Sequence, residues 1–146
     1  MPYTDFVRNV AKAVKAVSDP YLYGIIADSL MSAVTENSVI VPAPNHCGKA
    51  CYTLEIARVL SKRTGARIED VLFSLPRETL YSLKQKGKDA SYTMYLRHGV
   101  KGEDILFLDN VIDTGATFKK AKALIPTLKP LVYATTGRVR YGSLVG

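Results

Sequence analysis

Ile105-Leu106-Phe107-Leu108-Asp109-Asn110-Val111-Ile112-Asp113-Thr114-Gly115-Ala116-Thr117 changes character twice within thirteen residues. Its first four side chains are branched or aromatic and apolar, which predicts a buried strand over 105–108 that ends at Asp109. A Thr-Gly-Ala-Thr turn then opens a helix, expected over 118–128, with Pro130 ending it and a last strand over 131–135. Open α/β sheets bind ligands at the carboxyl ends of their strands, and 109–117 is such an end. Small and hydroxyl residues let backbone N–H groups converge on a phosphate, and the helix dipole adds positive potential at the same place. Thr114 and Thr117 add hydroxyl donors. Capping of the helix by Thr114 or Thr117 explains the same residues equally well, and spacing leaves both readings open.

Strands and helices alternate outward from this stretch. Val7, Val10, Val14 and Val17 recur at helical spacing over 4–17. Asp19 then caps, and Pro20 begins, a second helix reaching about Val34. Ser38-Val39-Ile40-Val41-Pro42 reads as a buried parallel strand, followed by a polar loop over 44–49. A helix over 50–64 shows Leu54, Ala57, Val59 and Leu60 as its apolar stripe, with Gly65 as a left-handed cap. Residues 68–75 read as one further strand. Lys84, Lys86, Gly87, Lys88 and Asp89, flanked by Tyr81, Tyr92 and Tyr95, make 76–102 a long loop or hairpin. The expected fold is α/β: an open, mostly parallel sheet with helices on both faces. One domain spans 1–146, with N-terminal helices over 1–37, a core over 38–136 and a tail over 137–146.

Composition narrows the classes. A chain of 146 residues, 47% hydrophobic and 23% charged, is sized for one core and is not disordered. No apolar run approaches the ~20 residues of a membrane span, and Asp5, Arg8, Lys12 and Lys15 stand where a secretory signal would be apolar. Cys47 and Cys51 are too few for a disulfide framework, so a soluble, cytoplasmic protein is expected. The formal charge of +7 suits an anionic partner, either a phosphorylated metabolite or a nucleic acid.

The 105–117 stretch resembles the phosphoribosyl pyrophosphate signature of type I phosphoribosyltransferases: apolar strand, acidic pair, two residues, then a Thr-Gly-small-Thr turn. The resemblance implies that Asp113, Thr114, Gly115, Ala116 and Thr117 hold the ribose 5′-phosphate. It implies that Asp109 and Asn110 contact the ribose, with Asp109 also near the metal. Asn110 departs from the usual second acid, as uracil phosphoribosyltransferases also do, and an aspartate restored there is expected to be tolerated. The Ile112-Asp113-Thr114-Gly115 run is similar to the hypoxanthine-guanine enzymes, where the matching aspartate moves a proton on the purine. Asp113 fits that catalytic role or a capping role.

Weaker likeness covers 39–135. Gly48 and Lys49 fall in the family's pyrophosphate loop, where a glycine permits close backbone approach and a lysine supplies charge. Ala43 and Ala50 rule out an ATP-binding P-loop. Val-Pro-x-Pro at 41–44 and Arg77-Glu78-Thr79 look like the DNA-uptake competence subgroup. His46, Cys47, Cys51 and His98 include zinc-ligand types, but as adjacent residues His46 and Cys47 would rarely share one ion. The resemblance implies transfer of ribose 5-phosphate from phosphoribosyl pyrophosphate to a nitrogen acceptor, such as a nucleobase, in nucleotide metabolism. It also implies Mg²⁺ carried mainly by the substrate, a closing loop over 76–102, an N-terminal hood that reads the acceptor, and a homodimer. The rival expectation is a regulatory protein of the same fold that senses this sugar diphosphate or binds nucleic acid. No membrane partner is expected.

Overall fold

Four strands pair in parallel into one sheet in the computed structural model, which describes residues 4–75, 92–112 and 115–135. Along the chain come α1 (Asp5–Ala16), α2 (Pro20–Leu30), a single 3-10 turn (Met31–Ala33), β1 (Ser38–Pro42) and α3 (Tyr52–Thr64). They are followed by β2 (Arg67–Ile68), β3 (Leu72–Ser74), β4 (Met94–Leu96), β5 (Asp104–Ile112), α4 (Ala116–Leu124) and β6 (Lys129–Thr135). The main sheet has the order β2-β1-β5-β6, and β3 and β4 form a separate antiparallel pair.

The pleat sends alternate side chains to opposite faces, and both faces are covered. Ile40, Leu106, Leu108, Leu131 and Tyr133 pack with Val10, Val14, Ile26, Ile56 and Leu60 of α1, α2 and α3. Val39, Val41, Ile105, Phe107 and Val132 pack with Phe118 and Ala121 of α4 and with Leu72 and Met94 of the small sheet. Helices therefore lie on both faces of a parallel sheet, as the alternation of elements predicts. The N-terminal helices expected as a hood form one layer of this core, and α1 reaches β5 directly. Thr4 and Asp19 cap α1 and α2, accepting from the N–H of Val7 at 3.3 Å and of Tyr21 at 2.9 Å.

Several boundaries differ from the sequence reading, each for a local reason. The strand expected over 68–75 is two strands in two sheets. Glu69 and Asp70 interrupt the apolar run; the Glu69 N–H still donates to Ile40 at 2.9 Å, and the chain then leaves to pair Leu72 with Leu96. β4 thus lies inside the segment expected as a loop or hairpin, while 76–91 lie outside the described residues. The buried stripe of α3 is Thr53, Ile56, Ala57 and Leu60, leaving Leu54 and Val59 at its margin. α4 ends at Leu124 because Pro126 follows Ile125, whose φ of −128° and ψ of 88° are already extended. Pro130 is not the stop; it sits opposite Phe107 within β6, the last strand of the sheet among the described residues, where a missing donor is tolerated. Gly65 caps α3 at φ 83°, as expected. Among the described residues no helix is long and apolar enough to cross a membrane.

Phe107 is fully buried on the central strand and meets Phe118 edge to face, with ring centres 5.8 Å apart. Phe107→Ala is expected to cost about 3–5 kcal/mol in denaturant unfolding, whereas Phe6→Ala, at a side chain 64% exposed, should stay within ~0.5 kcal/mol.

Candidate functional site

β5 has unequal neighbours. Its ladder with β1 runs from Ser38 opposite Asp104 to Pro42 opposite Leu108, and its ladder with β6 continues to Ile112 opposite Thr135. The strand therefore does not end at Asp109, as the sequence suggested; β6 keeps it extended for three more residues, while β1 turns away after Ala43, whose N–H donates to Leu108. Asp109 is the first residue of β5 beyond its β1 partner. It lies at a carboxyl edge, the position where such sheets take ligands.

The Asp109 carboxyl is half-buried, and burial raises it from the ordinary 3.8 to about 6, against the Asn110 N–H and the positive charge of Lys15. The Asn110 N–H, at 2.7 Å from Oδ1, is its hydrogen-bond donor among the described residues. Tyr52, in the first turn of α3, shares this field: burial, then the charges of Asp109 and Cys51, push its phenol up. Sequence reasoning passed over Tyr52 because a tyrosine opening a helix carries no motif; only the fold brings it near Asp109.

Asn110 faces the other way. It is 1% exposed, and its amide donates to the Ala11 carbonyl of α1 at 2.6 Å. Its Oδ1 is buried without a hydrogen-bond partner among the described residues. This geometry accounts for the missing second acid: a carboxylate here would lose the donor to Ala11 and bury a charge against a carbonyl oxygen. The geometry of Asn110 predicts the opposite of tolerance for an aspartate there. Asn110→Asp should destabilise the fold by roughly 2–4 kcal/mol in denaturant titration at neutral pH, with the loss shrinking as acid protonates the new carboxyl.

The turn after β5 leads into α4 through Gly115, buried and in the left-handed region at φ 83°, ψ 5°. Gly115 takes the N-cap position of α4 and has no side chain to offer the helix. Thr117 does not play that part: its hydroxyl receives a hydrogen bond from the Tyr92 phenol at 3.2 Å, and the Lys120 ammonium lies 4.9 Å from the Tyr92 ring centre. Asp113 and Thr114 lie outside the described residues.

Gly48 and Lys49 occupy the loop between β1 and α3. Gly48 has φ +94°, and a Cβ there would fall 2.1 Å from the Ser74 carbonyl oxygen. The Ser74 N–H in turn donates to the Gly48 carbonyl at 2.9 Å. Packing of the loop on β3 thus requires this glycine independently of any ligand. Lys49 is exposed, and its carbonyl closes the turn by accepting the Asn45 N–H at 3.0 Å. Cys47 and Cys51 meet across the same loop, with sulfurs 3.3 Å apart. His98 stands instead beside the Gly99 carbonyl and Glu69.

No family model matches the chain, and no curated protein matches it in sequence. Among solved structures it is similar to the HGPRT-ase from Leishmania tarentolae in complex with GMP, at 17% identity and a TM-score of 0.40. The similarity covers 88% of this chain and 65% of that protein's length.

Asp109 makes a pH-dependent prediction. Its carboxyl holds a proton more firmly in the folded chain than in the unfolded one, so ionising it opposes folding. That penalty builds as pH rises from the ordinary 3.8 through about 6 and is constant above. Asp109→Asn should therefore be more stable than the natural chain by roughly 1–3 kcal/mol at about pH 7.5 and nearly equal to it at about pH 4. Denaturant titrations at the two pH values check this.

Proposed function

We propose that the chain is a phosphoribosyltransferase, moving ribose 5-phosphate from phosphoribosyl pyrophosphate to a nitrogen acceptor and releasing pyrophosphate. The observation that carries the reading is Asp109 at the carboxyl edge of the central strand, its carboxyl raised by burial, with α4 beginning a few residues on at a left-handed Gly115. A desolvated carboxylate with one N–H on it is suited to sugar hydroxyls, whose donors would repay its lost hydration. Backbone N–H groups at the start of α4, with Gly115 and the Thr117 hydroxyl, are suited to a dianionic 5′-phosphate. Lys49, exposed on the loop after β1, supplies positive charge suited to a diphosphate.

Cleavage at the anomeric carbon leaves positive charge on the ribose and negative charge on the departing diphosphate. Asp109 would hold the hydroxyls of the ribose and face its developing charge, while Lys49 faces the diphosphate. The donor set also fits a divalent cation in a limited way. Asp109 offers one carboxylate raised by burial, whereas Asn110 turns its amide to α1, so magnesium would rest mainly on the diphosphate. When bound, it would supply neutralising charge to that leaving group. Asn110 drops out of the ribose contacts in this reading and becomes the residue that fixes α1 and presents its N–H to Asp109. Asp113 retains the role of a base toward the acceptor.

Asn110 and the formal charge of +7 favour a second reading, a protein that binds the sugar diphosphate or nucleic acid without turnover. Pyrophosphate release with a panel of nucleobases supports the enzyme; salt-dependent nucleic-acid binding without release supports the second reading.

Calorimetric titration with phosphoribosyl pyrophosphate, with and without Mg²⁺, tests the site. Binding is expected, and Gly115→Val, placing a branched side chain where φ is positive, should weaken it at least about tenfold in a protein that still melts cooperatively. Unchanged affinity in that variant would remove the phosphate site. If turnover is found, Asp113→Asn should lower kcat about 10²- to 10⁴-fold with KM nearly kept.

A further inference from the structure

Cys47-Gly48-Lys49-Ala50-Cys51 places two thiols on one short loop whose ends are held independently of them. The Cys47 N–H is fixed by the Asn45 side-chain oxygen at 2.8 Å, the Gly48 carbonyl accepts the Ser74 N–H at 2.9 Å, and Cys51 immediately precedes α3. Between these anchors the two sulfurs lie 3.3 Å apart, and each is 3.7 Å from the Lys49 carbonyl. Neither cysteine is buried; both are half-exposed and free. A disulfide bond needs about 2.05 Å between sulfurs, so a small side-chain rotation closes the gap while the loop stays anchored on β3.

The two thiols are also unlike. Burial pushes Cys47 up, but hydrogen bonding to the Lys49 backbone and to Cys51, together with the Lys49 charge, outweighs it and leaves Cys47 below the ordinary thiol value. Burial and the neighbouring Cys47 push Cys51 up. An accessible thiol biased toward thiolate beside one that keeps its proton is the arrangement of an attacking and a resolving cysteine.

We propose that Cys47 and Cys51 form a redox-active pair that closes to a disulfide by exchange with a small-molecule disulfide. The Cys47 thiolate attacks one sulfur of that disulfide, forming a mixed disulfide and expelling one small thiolate. Cys51 then loses its proton, attacks the Cys47 sulfur and expels the second. The protein pair is oxidised by two electrons, the small disulfide is reduced to two thiols, and a small thiol in excess reverses both steps.

The test is equilibration of the whole chain in buffers of oxidised and reduced glutathione, with free-thiol labelling and intact mass as readouts. Both thiols should vanish together, with loss of two hydrogens, no adduct and no dimer, and return on reduction. Cys51→Ser should accumulate a stable glutathione adduct at Cys47, and Cys47→Ser should react at least about tenfold more slowly. Two thiols that stay labelled, a persistent adduct on the natural chain, or a disulfide between chains would overturn the pair; equal rates in the two variants would overturn the assignment of attack to Cys47. A corollary rests on the proposed function: the oxidised and reduced chains should differ in affinity for inorganic pyrophosphate. Equal affinity with the disulfide demonstrably formed would count against the diphosphate role of the loop and leave the thiol chemistry standing.

Discussion

The pairing of β5 with two partners of unequal reach is the constraint on which the rest of the molecule depends. Fully apolar side chains on both faces of its first half fix the register with β1 and β6, because a slip of one residue would carry Phe107 and Leu108 to the wrong faces. The same register decides where β1 stops being a neighbour. From that point β5 is held on one side only, and the polar residues 109 and 110 emerge at the boundary between packed core and open edge. Core packing and site formation are thus consequences of one set of backbone hydrogen bonds.

Asp109 and Asn110 divide two tasks that a pair of acids could not. The pleat turns one outward to the carboxyl edge and the other inward to α1, and each environment demands a different group. Outward, a carboxylate is kept at a cost in stability, the usual mark of a group retained for binding or chemistry rather than folding. Inward, a neutral amide satisfies a helix carbonyl and lends its own N–H to its neighbour. The apparent defect in the acidic pair therefore follows from how close α1 lies to the sheet.

Much of this was legible in the sequence, for identifiable reasons. β1 was read to the residue because five consecutive apolar or small side chains, closed by proline, have no competing period. The caps Asp19 and Gly65 follow from local chemistry that tertiary structure has no reason to override. The errors share a different origin. The division of 68–75 between two sheets, the length of β5 and the acceptance of Pro130 inside β6 are all set by which strand lies alongside, and that information is not local. At the site, the sequence offered Asp109 and Gly115, but the inward turn of Asn110, the approach of Tyr52 and the structural demand on Gly48 arise only when α1, α3 and β3 converge on the same edge.

Among the described residues, the two borders of the main sheet differ in sequence but have the same effect on neighbours. β2 is only two residues long, and β6 carries Pro130, which has no N–H to give. An incoming strand would find too few donors and acceptors on one border and an interrupted row on the other. As described, both borders resist growth by edge-to-edge addition, the route by which parallel sheets recruit further chains into aggregates.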